Sequence, residues 1–285
     1  MRALDFKVYS PCELIAMLDV LSERVARGNS PATLIIGQWS PRVLTLPPYQ
    51  SISDVNLAEC KRQGVPVVFA PCGRAFLNTE RELYFALIAP RDSSIDIIRD
   101  YRFVEDRIVS AFKSIGVPAY ASYRRGEDGR LYGHDIKAEG SCSSYFENLL
   151  CALAARDCKG AFLRHGAIFY EPYTLSDVEQ MLSLMNVPDS VDRKDASARI
   201  LRFASALTKY TDASMEDVGR AIIDSFEASS ESLLADERKE VEKRAAMLAS
   251  DMSRPEYYSQ NGASRSRGLC LYNWGESYNY RELKG

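Results

Sequence analysis

The sequence predicts an α+β fold in which a mixed β-sheet is flanked by helices. Apolar, β-branched runs of strand length alternate irregularly with amphipathic segments of helix length, and hairpin signals such as Asp128-Gly129 join neighbouring strands. A doubly wound parallel sheet would instead require a regular strand–helix alternation. With 285 residues, the chain suffices for one large domain and a small appendage. We therefore expect a main domain over 1–230 and a C-terminal helix and tail over 231–285.

Helices are predicted where apolar residues recur every three or four positions. The first begins at Ser10-Pro11, because Ser10 suits the helix cap and Pro11 the first helical position, and it ends at Gly28. The others are predicted at 53–63, 94–115, 144–157, 176–185, 196–206, 214–226 and 233–250. The last of these is highly charged, and we expect it to lie solvated on the surface of the domain.

Strands are predicted where short β-branched or apolar runs are bounded by Gly, Pro, Asn or Ser. They are expected at 32–39, 43–46, 65–70, 75–77, 82–89, 117–120, 131–137 and 160–170. Residues 71–74 separate two of these strands as a loop. The segment 124–130 reads as the turn of a hairpin, and after Pro255 no regular structure is predicted.

Composition and charge exclude several classes of protein. Apolar residues make up 46% and charged residues 26% of the chain, which favours a packed core over disorder. The net charge of −3 provides no electrostatic footprint for nucleic acid or an anionic membrane. No apolar run reaches the roughly 18 residues that a membrane-spanning helix needs, and the first ten residues lack the apolar core of a secretion signal.

The cysteines and histidines indicate a reducing compartment and no histidine-rich metal site. Seven cysteines are scattered along the chain, an odd number without the spacing of a disulfide framework. We therefore expect free thiols and a cytoplasmic location. With two histidines, His134 and His165, we predict no metal bound by protein side chains, although Asp and Glu suit a hard cation such as Mg²⁺.

The stretch from Leu131 to Tyr170 carries the most informative pattern. Lys137 follows Asp135-Ile136 at the predicted end of a strand, and Gly140-Ser141 opens a Ser/Cys-rich turn. His165-Gly166 then opens an apolar run. A lone lysine is usually a solvated surface cation, so the pattern around Lys137 decides how it is interpreted.

Lys-x-x-Gly-Ser followed by His-Gly and a strand resembles the central signature of the lipoate–protein ligase and octanoyltransferase family, the biotin/lipoate A/B protein ligase catalytic domain. Further fragments are similar to that family in the same order along the chain. They are Met17–Asp19, Thr33-Leu34, Trp39–Pro41, Tyr49-Gln50, Val55–Cys60, Gly64–Val68, Leu163–Ile168 and Leu184–Pro188.

The resemblance implies a class II biotin/lipoate ligase-like catalytic domain over 1–230 and a reaction of two steps. Members activate lipoate or octanoate with ATP and Mg²⁺ as an acyl-adenylate and pass the acyl group to a lysine of a lipoyl carrier domain. The implied partner is therefore a carrier protein of the E2 or glycine-cleavage H type. Whether an accessory subunit is also needed stays open. An eight-carbon chain requires an apolar slot, for which Val67, Val68, Phe76 and Ile168 are candidates beside their alternative role as core.

The resemblance also implies the site residues. Lys137 is the expected catalytic group, because its ammonium would stabilise charge developing on the acyl carbonyl or phosphate oxygen. Substrate binding is expected at Gly73, Arg74, Ala75, Asn78, Asp135, Gly140, Ser141, His165 and Gly166. The loop over 69–78 departs from the family pattern, since it lacks the arginine pair, keeps one glycine and has Asn78 in place of histidine. A loop with few glycines brings fewer backbone amides close to phosphates.

Three hypotheses follow, of which the ATP-dependent ligase is favoured. The second is an ATP-independent acyltransferase that forms a thioester on Cys72 or Cys142, although a buried inert thiol is the commoner fate of an intracellular cysteine. The third is a non-catalytic subunit that keeps the fold and binds the carrier. His165 is as readily a structural residue as a titrating one.

Overall fold

The computed structural model describes residues 1–91, 97–125, 131–138 and 148–252, and it confirms the predicted α+β class with a mixed sheet flanked by helices. The strands are β1 (Arg2–Ala3), β2 (Lys7–Tyr9), β3 (Thr33–Trp39), β4 (Val43–Leu46), β5 (Val67–Phe69), β6 (Phe76–Asn78), β7 (Glu82–Pro90), β8 (Ala119–Arg125), β9 (Leu131–Ala138), β10 (Leu149–Asp157), β11 (Ala161–Phe169) and β12 (Ser229–Ser230). The helices are α1 (Pro11–Ala26), α2 (Leu57–Gln63), α3 (Ile97–Ser114), α4 (Leu175–Ser183), α5 (Arg193–Phe203), α6 (Met215–Ser225) and α7 (Ala235–Met252).

Within the described ranges, nine strands form the main sheet in the order β12-β1-β3-β7-β11-β10-β9-β8, with β2 also paired to β3. The pairings of β1 with β12 and with β3, and of β2 with β3, are parallel. The other pairings in this sheet are antiparallel. A second, three-stranded sheet has the order β5-β4-β6. The antiparallel pairing of β8 with β9 agrees with the predicted hairpin. The predicted turn at 124–130 is wrong at Arg124 and Arg125, which continue β8 and pair with β9, and 126–130 lie outside the described residues.

The two faces of the main sheet are buried against different helices. Side chains such as Ile36 and Phe85 point to one face and pack with buried residues of α3 and α6. Their neighbours Ile35 and Ala86 point to the other face and pack with buried residues of α1. This alternation is the period of two that a strand buried on both sides requires. A third apolar cluster joins the second sheet and α4 to Phe169 at the end of β11.

Local sequence signals account for several element boundaries. The side chain of Ser10 accepts a hydrogen bond from the Glu13 backbone N–H, which is the predicted cap of α1. The helix predicted at 53–63 is wrong over 53–56. Asn56 accepts from the Glu59 N–H and caps α2, so the α-helix begins at Leu57, and a separate 3₁₀ turn occupies Ile52–Asp54.

The helix predicted at 144–157 is wrong over its described part, because Leu149–Asp157 forms β10. This segment is rich in Leu and Ala, which favour helices in isolation. In the fold it lies between β9 and β11, and it pairs with both neighbours. The hydrogen bonds and the burial supplied by those two strands outweigh a weak local propensity. Residues 144–147 lie outside the described residues.

Helix α7 lies against α1 and has one carboxylate in the protein interior. Glu237 is fully buried and forms an ion pair with the guanidinium of Arg2, with 2.7 Å between Nη2 and Oε1. Glu237 also accepts from the Ser30 hydroxyl at 2.5 Å, and Arg2 donates to the Thr33 hydroxyl at 3.0 Å. The expectation of a merely solvated helix is therefore wrong at this position. The division of the chain into 1–230 and 231–285 stays a prediction.

Replacing Glu237 with alanine is expected to lower the free energy of unfolding by about 3–5 kcal/mol, because it leaves the Arg2 guanidinium buried without its counter-ion. Urea unfolding followed by circular dichroism measures the change. The matched control is Glu240→Ala on the same helix, whose carboxylate contacts Arg24 at the surface and is 40% exposed. That variant is expected to change stability by less than about 1 kcal/mol. Equal effects of the two substitutions would contradict the interior role of Glu237.

No helix in the described ranges combines the length and the apolarity needed to cross a bilayer. The cysteines within those ranges, Cys12, Cys60, Cys72, Cys151 and Cys158, carry free thiols.

Candidate active site

A cavity of about 320 Å³ lies between α1, the second sheet and the α1-facing side of the main sheet. Most of the side chains around it are apolar. It is lined by Ile15 and Leu18 of α1, by Trp39, Tyr84, Ala152–Ala154 and His165–Ala167 of the main sheet, and by Thr45, Ala70, Cys72–Arg74, Phe76 and Asn78 of the second sheet and its loops.

Small residues on the main sheet leave the space for this cavity. The strand register places Tyr84 opposite Ala167, and Ala167 opposite Ala152, so these three residues form a row across β7, β11 and β10 on one face. Larger side chains in place of the two alanines would fill the volume above them. Gly166 is needed for close strand approach, since a Cβ there would lie 1.9 Å from the Ala152 carbonyl oxygen.

The cavity is open at one end and closed at the other. Gly73, Arg74 and Ala152–Ala154 are partly exposed, whereas Trp39 and Tyr84 are buried. In the order of the sheet, the lining residues run from β10 through β11 and β7 to β3. Three strand spacings correspond to roughly 14 Å. The cavity is therefore a mostly apolar slot that extends from β10 toward β3.

The loop at the open end is held by the Tyr49-Gln50 pair. The Tyr49 hydroxyl accepts from the Gly73 N–H at 2.7 Å and donates to the Gly73 carbonyl at 2.8 Å. Gln50 Oε1 accepts from the Ala75 N–H at 2.9 Å. Gly73 has a φ of 102°, a conformation that side chains other than glycine rarely adopt. These contacts fix the position of Cys72 and Arg74 at the cavity.

Cys72 and His165 contact each other inside the cavity. The Cys72 Sγ and the His165 Nε2 are 3.1 Å apart, although the two residues are 93 positions apart in the chain. Both are buried. His165 lies on β11 and Cys72 on the loop that covers this strand, so the pair forms because the second sheet packs over the main sheet. The arrangement places a thiol and an imidazole within hydrogen-bonding distance, as nucleophile and base require.

Burial sets the protonation of this pair. It raises the pKa of the Cys72 thiol to about 12. The pKa of His165 is lowered to about 4, first by burial and then by the charge of neighbouring Arg164. At neutral pH the pair is therefore a thiol and a neutral imidazole. A neutral imidazole is able to accept the proton of the thiol when the sulfur attacks an electrophile.

Lys137 is buried, with 7% of its surface exposed. It is the penultimate residue of β9 and pairs with Leu149 of β10, which packs beside Phe76 on the cavity side of the sheet. Residues directly opposite each other in an antiparallel pair share a face, so Lys137 lies on the cavity face. The preceding Ile136 packs on the other face. Lys137 is not part of the cavity wall, but it is two positions from Asp135, which pairs with the wall residue Ala152.

The other predicted site residues divide into three groups. Gly73, Arg74, Asn78, His165 and Gly166 line the cavity together with Cys72. Ala75 is buried beside it, and the backbone of Asp135 lies on β9 in register with Ala152. Gly140, Ser141 and Cys142 lie outside the described residues. These assignments to a substrate site stay predictions.

Of the four apolar residues predicted to line the acyl slot, one lines the cavity and three lie in the core. Phe76 lines the cavity, whereas Val67, Val68 and Ile168 are buried in the three apolar clusters of the core. Tyr84 and Trp39 line the cavity and were not predicted to do so. Their rings pack edge to face with 5.2 Å between centroids. Trp39 is part of the fragment Trp39–Pro41 that carries the family resemblance, whereas Tyr84 is in none of those fragments.

The loop predicted to bind substrate has two backbone N–H groups already in hydrogen bonds within the protein. In the loop over 71–75, the N–H groups of Gly73 and Ala75 already donate to Tyr49 and Gln50, so neither is free to cradle a phosphate. Among the described residues, no group of three or more His, Cys, Asp or Glu side chains is placed to hold a metal ion.

The mixed sheet and its flanking helices form the fold of lipoate protein ligases. The family model described as the lipoyl protein ligase A/B catalytic domain matches residues 10–227. The chain belongs to this family.

Relatives by sequence include two proteins named octanoyltransferase LipM. The one from Lysinibacillus sphaericus is 27% identical over 206 residues, which cover 67% of this chain and 72% of the relative. The one from an Exiguobacterium species is 26% identical over 210 residues, which cover 70% and 74% of the two chains.

Solved structures share the fold. A bipartite lipoate protein ligase from Thermoplasma acidophilum, described with its E2 lipoyl domain, superposes with a TM-score of 0.66 at 19% identity and covers 90% of this chain and 96% of its own. A lipoate-protein ligase A bound with ATP gives a TM-score of 0.63 at 20% identity and covers 90% and 98%. At these identities the likeness concerns the fold.

Proposed function

We propose that this protein transfers a medium-chain acyl group, octanoyl or lipoyl, to a lysine of a lipoyl carrier domain of the E2 or glycine-cleavage H type, by way of a thioester on Cys72. The observation that carries the proposal is the contact between Cys72 Sγ and His165 Nε2, 3.1 Å apart, inside a mostly apolar slot. The slot suits an acyl chain, at about 0.8 kcal/mol per buried CH₂. The names of the relatives, octanoyltransferase, support the same class of reaction.

In the first step, Cys72 Sγ attacks the carbonyl carbon of an acyl thioester while His165 Nε2 accepts the thiol proton. The donor thiol leaves with that proton, and the acyl group remains on Cys72. In the second step, the amine of the carrier lysine attacks the Cys72 thioester. The amide bond forms, the bond to sulfur breaks, and an amine proton returns through His165 to Sγ.

Lys137 supplies a positive charge on the same face of the sheet. Because it is buried, its ammonium acts through a medium of low dielectric and stabilises a developing oxyanion more strongly than a solvated lysine would. Gly73 and Arg74 lie at the opening of the slot, where the carrier domain has to present its lysine.

The ATP-dependent ligase remains the second candidate, because the chain belongs to a ligase family. The Gly73 and Ala75 N–H groups already donate hydrogen bonds within the protein, and this favours the thioester route over the ATP-dependent route. No step in the proposed reaction uses ATP or Mg²⁺.

The two routes differ in the donor that they need. The protein is incubated with a lipoyl carrier domain and either an octanoyl thioester of an acyl carrier protein without ATP, or octanoate with ATP and Mg²⁺. Mass spectrometry of the carrier and pyrophosphate release are measured. We expect carrier acylation from the thioester alone. Acylation only with octanoate and ATP, accompanied by pyrophosphate, would identify the ligase instead, and carrier binding without either reaction would identify a non-catalytic subunit.

A further inference from the structure

The hydroxyl of Tyr84 is a buried hydrogen-bond donor without a partner in the part of the chain that the structure describes. The residue lines the slot and is 3% exposed. Buried hydroxyls are nearly always hydrogen-bonded, because a polar group that leaves water without a new partner loses free energy. We therefore expect this hydroxyl to find its partner in a bound ligand.

Tyr84 lies beside the Cys72–His165 pair. It pairs with Ala167 of β11, and His165 is two positions from Ala167 on the same strand, so the side chains of Tyr84 and His165 are on one face of the sheet. The ring centroids of Tyr84 and His165 are 6.0 Å apart. The His165 Nε2 in turn lies 3.1 Å from the Cys72 Sγ. The phenol ring is therefore a direct neighbour of the proposed nucleophile and its base.

The Tyr84 hydroxyl interacts with Cys72 through its charge, although no hydrogen bond joins the two groups. Burial raises the pKa of Tyr84 well above its usual range, and negative charge on Cys72 raises it further. The phenol therefore stays protonated at neutral pH and remains a donor. An acyl carbon bonded to Sγ carries its carbonyl oxygen two bonds beyond the sulfur, which can bridge the gap to a donor that the sulfur itself does not reach.

Negative charge develops on that carbonyl oxygen in both steps of the proposed reaction. It arises when Cys72 Sγ attacks the donor thioester, and again when the carrier amine attacks the Cys72 thioester. Donors that are already in place in a buried site stabilise such an oxyanion strongly, and more than one donor can serve the same oxygen. The phenol keeps its proton while it donates, so no further proton transfer is needed.

We propose that Tyr84 is a catalytic residue that donates a hydrogen bond to the carbonyl oxygen of the acyl group on Cys72. It acts from β7, whereas Lys137 acts from β9, and β11 with His165 lies between these two strands. The rest of the acyl chain runs past the Tyr84 ring toward Trp39 on β3. This inference rests on the proposed function and adds a residue to its chemistry.

Tyr84→Phe tests the assignment, because phenylalanine keeps the ring and removes only the hydroxyl. The rate of carrier acylation from the Cys72 thioester should fall by about 10²-fold, the cost of one oxyanion donor, while the Kd for octanoate should change much less. Infrared difference spectroscopy of a carbon-13-labelled octanoyl group on Cys72 detects the hydrogen bond itself. The thioester carbonyl stretch should lie at a lower frequency in the wild type than in Tyr84→Phe, because a hydrogen bond weakens the C=O bond.

The control is Tyr170→Phe, which removes a hydroxyl that donates to the Ala213 carbonyl and does not line the slot. It should keep the wild-type rate and the wild-type carbonyl frequency.

An unchanged rate and an unchanged carbonyl frequency in Tyr84→Phe would overturn the inference while leaving the proposed function intact. A lower Tm without a shift in frequency would also overturn it, since that result assigns Tyr84 a structural role. Should the variant fail to fold, a wild-type carbonyl that absorbs like a thioester in hydrocarbon solvent would have the same consequence. The absence of an acyl group on Cys72 in the wild type would overturn the proposed function and the inference together.

Discussion

Cys72→Ala is expected to lower the rate of carrier acylation from an octanoyl thioester by about 10³-fold or more, because the variant lacks the nucleophile on which the acyl group is held. The substitution should lower kcat rather than weaken substrate binding, since the slot and its opening are otherwise retained. The wild type incubated with the donor alone should gain one acyl group, and peptide mapping should place it on Cys72. The variant should gain none.

Two cysteine variants serve as controls for this experiment. Cys142→Ala removes the other candidate nucleophile that the sequence offers, and Cys12→Ala removes a partly exposed thiol whose Sγ lies 3.6 Å from the Met252 sulfur, away from the slot. Both should retain the adduct and the activity. An adduct that disappears with Cys142 and persists without Cys72 would refute the role of the Cys72–His165 pair.

The protonation of the pair adds a distinctive pH dependence to the same assay. A neutral His165 is required to accept the thiol proton, and its pKa is lowered to about 4, so the base form persists well below the usual range of histidine. The pKa of Cys72, raised to about 12, keeps the thiol protonated until far above neutral pH. The rate at which Cys72 gains the acyl group from the donor alone should therefore change little between about pH 6 and pH 9, whereas an ordinary histidine would impose a loss near pH 6.5.

Lys137→Met is expected to reduce the rate of carrier acylation by about 10²–10³-fold, the cost of removing one preorganised group that stabilises an oxyanion. Methionine keeps an unbranched apolar stem in a position that is 7% exposed, and it removes the charge. The rate constant of carrier acylation should fall, while the Kd for octanoate should change much less. Circular dichroism checks that the variant is folded.

Lys209→Met is the matched control, since it removes a lysine that is exposed in the short 3₁₀ turn Leu207–Lys209. It should leave the rate within about twofold of the wild type, as expected for a surface charge remote from the slot. A Lys137→Met protein that is as active as this control would exclude Lys137 from the chemistry.

Much of the fold could be predicted because its signals are local. The Ser10 cap, the apolar stripe of α1 and the β-branched run of β3 each act over a few residues, and the structure places these elements where the pattern indicates. The failure at β10 has the opposite cause. The Leu/Ala-rich segment 149–157 is a strand because β9 and β11 pair with it, and those partners are set by the order of the sheet.

The candidate site could be predicted only in part for the same reason. Lys137 and His165 were found through a resemblance that runs along the chain, and Cys72 through its place in the loop. Nothing local in the sequence indicates that Cys72 touches His165, or that Trp39 and Tyr84 close the slot, because these contacts join different strands and two sheets. The buried Glu237 is a similar case, since its partner Arg2 is 235 positions away.

A crystal structure of the protein after incubation with an octanoyl or lipoyl thioester, in the absence of the carrier, tests the proposed thioester on Cys72 most directly. We expect continuous density from Cys72 Sγ into the slot toward Trp39 and Tyr84, with the Lys137 ammonium directed to the carbonyl end. An acyl group bound outside the slot, or a Lys137 side chain extended into bulk solvent, would contradict it.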